Sequence, residues 1–292
     1  MSEHFVHNAI MEDATAIVFA KGAVGDVFRR SVTEQFAMSS LGCTTNGGDK
    51  INPYMLEKLR EIREMSEMDR CKLSFIIGCL THRAADRVFK PIFRALDVSP
   101  TRINVPTDCT LYHEVEIINR YYGNTADIMQ SMLGEFEGTR LEGKLEEFGQ
   151  AMLRRSLVAL HTLTPDKDVG TWLEAVSRLT PDFVADVKRH TSILTHPDTE
   201  KRKKFVLEPN FYDEENMYIK AAMAIRAGKQ EIPEVDFDLG DDEKGISLYE
   251  QALRCACEFV IAGWEYFNHE IDEQKMREKL RIGIPGADGK PV

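Results

Sequence analysis

Several signatures that would define a common enzyme class are missing from this chain. No GxSxG segment occurs, so the serine-nucleophile turn of α/β-hydrolases is absent. No histidine is followed directly by aspartate, so the paired motif of the helical HD-type phosphohydrolases is absent too. The six cysteines, Cys43, Cys71, Cys79, Cys109, Cys255 and Cys257, form no CxxC pair and no regular ladder. In a chain of this length, scattered cysteines read as reduced core thiols rather than as a disulfide framework or a zinc knuckle. Cys255 and Cys257 lie two apart on an expected helix and point in different directions, which makes them poor partners for one metal. Cys109 stands near His113 by chance spacing and does not suggest a thiol nucleophile.

Positive charge is also in short supply. Lys and Arg number 37 against 48 Asp and Glu, for a net charge of -11. A nucleic-acid partner is not expected from that balance, nor is electrostatic adhesion to anionic lipid. The short basic run Lys201-Arg202-Lys203-Lys204 reads as a solvated helix end. No apolar run approaches the ~20 residues that a bilayer span needs. The N-terminal apolar stretch, Ala14 to Ala20, follows Glu12 and Asp13 rather than a basic region, so it is not a secretory leader. The expectation is a cytoplasmic protein without a transmembrane segment.

Strand signals are scarce as well. Arg102-Ile103-Asn104-Val105 alternates, but it is four residues long and sits between prolines. What is present is helical patterning. Helices are expected over about 6–20, 26–40, 52–66, 70–97, 108–122, 124–136 and 139–162, with shorter ones near 169–178, 181–193 and 212–227 and a long one over about 245–270. In the last, Ile246, Tyr249, Leu253, Ala256, Val260 and Phe267 recur at helical spacing and read as core. Ser39 to Pro53 is expected to be a loop, marked by Asn46-Gly47-Gly48-Asp49 and Asn52-Pro53. The segment 164–245 is less regular and ends in an acidic stretch, 228–245, that reads as a surface loop or lid. The fold class expected is all-α: a multi-helix bundle forming a single helical domain over 1–292, with 43% hydrophobic residues supplying its core.

The segment from Cys71 to Leu96 carries the strongest chemical signal. Its first turns are apolar nearly all round, which is the pattern of a buried helix. One stripe runs Phe75, Cys79, His82, Asp86, Phe89, Phe93, so His82 and Asp86 interrupt an apolar seam one helical turn apart. A buried carboxylate is costly unless it is paired or bound to a cation. Imidazole and carboxylate are both zinc ligands. A plain hydrogen-bonded His–Asp core pair satisfies the spacing equally well. Pro91 is expected to kink this helix just beyond the pair. On the next helix, His113 and Glu116 lie three apart beside an apolar side, as a second ligand pair or as an ordinary exposed pair. Asp26 fits a helix N-cap. His7 alone is uninformative.

Taken in order, these residues resemble the zinc-dependent phospholipase C family. The matching elements are His7, Asp26 within Gly22-Ala23-Val24-Gly25-Asp26, the HxxxD pair His82 and Asp86, and His113 with Glu116. The likeness spans about residues 1–125. It implies a helical bundle with a zinc centre of one or two ions held by His82, Asp86, His113 and Glu116, with His7 and Asp26 as further ligands. It also implies that Asp26 or Asp86 orients the attacking water. The implied substrate is a phospholipid or a small phosphodiester, recognised through a phosphate-containing headgroup.

Besides showing no processing signal of the kind that frees a ligating N-terminus in the secreted family members, this chain departs from the family pattern in two places. No histidine lies between His7 and His82, and Lys90 precedes Pro91 where family members often carry His-Pro. A protonated lysine cannot ligate zinc, so Lys90 is expected to act as a cation toward the substrate phosphate. The same departures fit a different class of protein, a catalytically impaired helical scaffold that binds a ligand or partner.

Overall fold

The computed structural model describes residues 4–43, 48–95, 215–229, 231–235 and 246–291. All of them belong to one compact unit, built from Met1–Gly123 and Asp198–Val292. The expected helices between 108 and 193, the pair His113 and Glu116, the basic run at 201–204 and most of the acidic 228–245 segment lie outside the described residues.

Among the described residues there are eight α-helices and no strand, in line with the all-α expectation. They are α1 (His4–Ala20), α2 (Asp26–Glu34), α3 (Phe36–Cys43), α4 (Gly48–Arg60), α5 (Glu67–Ala95), α6 (Met217–Arg226), α7 (Leu248–Phe267) and α8 (Glu273–Lys279). No helix among them is long and apolar enough to cross a membrane.

α5 is the central element. It packs on α1, α2, α3, α4 and α7, and every residue from Cys71 to Asp86 is buried. The apolar first turns explain this. Leu73, Phe75, Ile76, Ile77 and Leu80 project all round the helix, and with α1, α2, α3, α4 and α7 packed on it all five are fully buried. Burying side chains of this size contributes about 1.5–3 kcal/mol each. The helix starts at a reciprocal cap, in which the Ser66 Oγ and the Asp69 carboxylate satisfy one another's backbone N–H groups.

α7 is the second core element, packed on both α1 and α5. Ser247 caps it by accepting from the Glu250 N–H. Tyr249, Leu253, Ala256 and Val260 are buried as the periodicity requires, while Ile246 and Phe267 at its two ends are half-buried. α6 opens on Asn216, whose side chain accepts from the N–H groups of Tyr218 and Ile219.

Three helix-boundary expectations fail. The helix expected over 52–66 ends at Arg60, and 61–66 is not helical. The single helix expected over 26–40 is broken at Gln35, which leaves helical geometry at φ -130°, ψ 44°. There its carbonyl accepts from the Ser74 hydroxyl of α5, and its side-chain oxygen accepts from Cys71. The loop expected over 39–53 is instead occupied at both ends, by α3 up to Cys43 and by α4 from Gly48.

Over 39–43 the cause is tertiary contact overriding local propensity. Gly42 of α3 and Gly78 of α5 let the two helices touch backbone to backbone. A Cβ on Gly42 would lie 2.0 Å from the Phe75 carbonyl oxygen, and one on Gly78 would lie 2.1 Å from that of Ser39. Pro53 sits inside α4 near its start, where a missing N–H forfeits at most one helical bond. α5 runs unbroken as helix past Pro91 to Ala95.

Candidate metal centre

The helical repeat of α5 places His82, Asp86 and Lys90 at successive four-residue steps on one stripe. α1 supplies a fourth side chain. His7 shares a face of that helix with Ile10, Met11 and Ala14, all buried, and is carried into the same contact. The rings of His7 and His82 stack with centroids 4.3 Å apart and planes inclined by 19°. Both present their Nε2 atoms to Asp86, His82 at 3.0 Å from Oδ2 and His7 at 3.8 Å from Oδ1. Lys90 Nζ lies 2.6 Å from the same Oδ2. His7, His82 and Asp86 are all buried.

His82 is oriented from behind. Its Nδ1 is 2.8 Å from the backbone carbonyl of Cys43, the last residue of α3. A carbonyl oxygen only accepts, so Nδ1 carries the proton. In the neutral ring, Nε2 then presents a lone pair to a carboxylate oxygen. That arrangement is repulsive unless a proton or a cation stands between them. Metal-binding histidines are held in this way, with the second ring N–H donated to a backbone carbonyl. The carbonyl also belongs to a helix C-terminus, whose partial negative charge favours positive charge nearby. The close approach of Gly42 and Gly78 is what brings this end of α3 within reach of α5.

Asp86 is electrostatically extreme. Burial pushes its carboxyl upward, but the charge and hydrogen bond of His82, then the charges of His7 and Lys90, outweigh burial and hold it well below the usual carboxylate range. It is therefore an anion at neutral pH in a buried place.

Among the described residues, His7, His82 and Asp86 form a group able to hold a metal ion, with one donor atom from each all within 4.8 Å of one another. Two ligands each about 2.1 Å from a tetrahedral ion stand about 3.4 Å apart. The observed 3.0 and 3.8 Å bracket that value. Two imidazoles and one carboxylate match zinc in donor type. On both counts the residues fit a divalent ion.

The adjoining stripe of the same two turns, about 100° round the helix, is an anchor. Arg83 donates to the carbonyls of Leu280 and Arg281, each at 3.1 Å. Arg87 donates to those of Arg281, Ile284 and Pro285 at 3.1, 3.1 and 3.2 Å. The segment His82-Arg83-Ala84-Ala85-Asp86-Arg87 thus alternates candidate ligands with arginines that grip the chain beyond α8.

Asp26 is not brought to this group. Gly25, not Asp26, occupies the N-cap position of α2. The Asp26 side chain is 79% exposed and paired with Arg29 at 2.6 Å. Its position at a helix N-terminus fully explains an acidic residue there. His113 and Glu116 lie outside the described residues. Sequence reasoning missed the Cys43 carbonyl, because a backbone acceptor has no residue signature. The only available signal was the pair Gly42 and Gly78, each at a helical position where a glycine is otherwise unfavourable.

Among the described residues the thiols take no part. Cys43, Cys71, Cys79, Cys255 and Cys257 are all buried and outside any disulfide. Burial pushes the Cys43, Cys79 and Cys257 thiols far up and that of Cys255 up to about 12. None of these four is poised as a thiolate.

Comparisons with protein-family models, with curated proteins and with solved structures find no match for this chain.

Proposed function

We propose that this chain is a metal-dependent phosphoester hydrolase, a divergent relative of the zinc-dependent phospholipase C family, with its ion on His7, His82 and Asp86. One observation carries the proposal. His82 has its Nδ1–H committed to the Cys43 carbonyl and its Nε2 turned toward Asp86 and His7, inside a group whose donor atoms lie within 4.8 Å. Of the residues whose order suggested the family, His7, His82 and Asp86 meet in this cluster, Asp26 does not, and His113 and Glu116 lie outside the described residues.

Zinc is the ion of choice for two imidazoles and a carboxylate, and a second ion would draw on His113 and Glu116. When bound, zinc supplies Lewis acidity toward a phosphoryl oxygen and acidifies water to a pKa near ~7. The chain's own residues do the rest. Asp86 orients the water, His82 is locked in one tautomer by Cys43, and Lys90 offers a cation to the phosphate of a phospholipid headgroup or small phosphodiester.

A second proposal, a scaffold of the same family that binds a ligand but has lost catalysis, is favoured by the Lys90 contact. An ammonium 2.6 Å from Asp86 satisfies the carboxylate that an ion would use.

Metal analysis separates these. Protein purified without added metal is assayed for zinc per chain, for melting with and without chelator, and for turnover of bis-p-nitrophenyl phosphate. His82→Ala serves as the control. Bound zinc with turnover, both lost in His82→Ala, supports the hydrolase. Bound zinc without turnover supports the scaffold. A metal-free chain that takes up no added zinc, and whose melting ignores chelation, overturns both as metal proteins.

A further inference from the structure

Asp86 is shared. Its Oδ2 is approached by Lys90 Nζ at 2.6 Å and by His82 Nε2 at 3.0 Å, while Oδ1 faces His7 Nε2 at 3.8 Å. The ammonium therefore rests on the anionic corner of the three-residue group. An ion entering between the two imidazoles and this carboxylate would stand within one carboxylate's width of a second cation. Like charges that close repel strongly, and a divalent ion doubles the term between unit charges.

The partners differ in freedom to move away. His82 is pinned by the Cys43 carbonyl, and His7 is buried in stacking contact with it. The Lys90 side chain is 19% exposed against 6% for Asp86. It is the most exposed side chain of the four, against 8% for His82 and 1% for His7, and its ammonium sits on a flexible four-carbon stem.

We infer that Lys90 is a displaceable counter-cation: alongside His82 and His7, its ammonium balances Asp86 in the metal-free chain, and it swings away when a divalent ion takes the carboxylate. This rests on the metal-centre proposal above. It has two consequences. The metal-free chain keeps a compensated carboxylate in its core, where an uncompensated one would be strongly destabilising. The same lysine weakens metal binding, because the ion must displace it, and once released it stands at the rim as a cation for an anionic phosphoester.

The test is a Co²⁺ titration followed by visible absorbance on the full chain, comparing wild type with Lys90→Met, Lys90→Gln and Lys90→Arg. The neutral variants are expected to bind Co²⁺ about tenfold more tightly than wild type or better, and to melt lower than wild type when metal-free. The Arg variant keeps a cation and is expected to show no gain. Circular dichroism checks folding, and Gln supplies a polar alternative should Met perturb the site. If wild type binds Co²⁺ and the neutral variants bind equally or less tightly, the exchange is overturned while the metal centre stands. A tighter Arg variant also overturns it, since charge would not be the cause. No saturable binding in any form overturns the exchange and the metal centre together.

Discussion

The Nδ1 atom of His82 lies 2.8 Å from the carbonyl oxygen of Cys43, on a different helix. That contact fixes which nitrogen of the ring is available to Asp86, and it depends on α3 and α5 meeting across Gly42 and Gly78.

Substituting either glycine should therefore reach the site. A Cβ on Gly42 or Gly78 would lie 2.0 or 2.1 Å from a carbonyl oxygen, so the backbones must part. Gly42→Ala and Gly78→Ala are each expected to cost about 1–3 kcal/mol in urea denaturation, the usual range for overpacking. Each should also weaken Co²⁺ binding, because His82 loses its orienting acceptor. Unchanged stability and unchanged affinity together would show that the helices do not touch there.

Removing the imidazole itself is a sharper change. His82→Ala takes away one donor of three and frees the Cys43 carbonyl. Copurifying metal should fall to background, and the melting temperature should no longer respond to chelator. Loss of outer-shell orientation alone typically costs 10–100-fold in affinity, so loss of a ligand should exceed that. Retention of wild-type metal content would place the ion elsewhere.

Acid should destabilise the metal-free protein through Asp86. Its folded carboxyl is held below the usual range, with burial opposing and His82, His7 and Lys90 prevailing. A group depressed in the folded state binds more protons when unfolded, so its stabilisation is fully present above the unfolded value of about 3.9 and declines as pH falls below it. Urea midpoints measured from pH 7 down to pH 3 should drop at the acid end. In Asp86→Asn that portion of the decline should be absent. A variant profile parallel to wild type would mean that Asp86 is not depressed.

A second buried carboxylate offers a control away from the centre. Tyr249 of α7 donates its hydroxyl to Asp13 Oδ2 of α1 at 2.6 Å. Tyr249→Phe removes that donor and is expected to cost about 1–3 kcal/mol, with metal content unchanged. A loss of metal in this variant would indicate that α1 shifts as a whole and takes His7 with it.

How much of this could be foreseen differed from residue to residue. His82 and Asp86 were legible because two polar residues one turn apart, inside an apolar seam, need a physical reason to be there. The burial of α5 and the core side of α7 followed from periodicity alone. His7 carried no signal of its own and entered only through the order of motifs in a resembling family, since convergence of α1 on α5 is a tertiary event. The 39–53 segment misled at its two ends: Gly48 and Pro53 mark turns in local terms but lie in α4, and Gly42 serves close packing of α3 on α5. Asp26 misled for a related reason: an acidic residue opening a helix is stabilised by that helix end whatever else it does.

The grip of Arg83 and Arg87 on the carbonyls of 280–285 has a consequence for cation choice. With the adjoining stripe of α5 clamped, His82 and Asp86 have little latitude to widen or narrow their bite on an ion shared with His7 of α1. A cage of that stiffness discriminates by radius and preferred geometry. It should accept small ions content with few donors and reject calcium, which needs six or more oxygens at longer range.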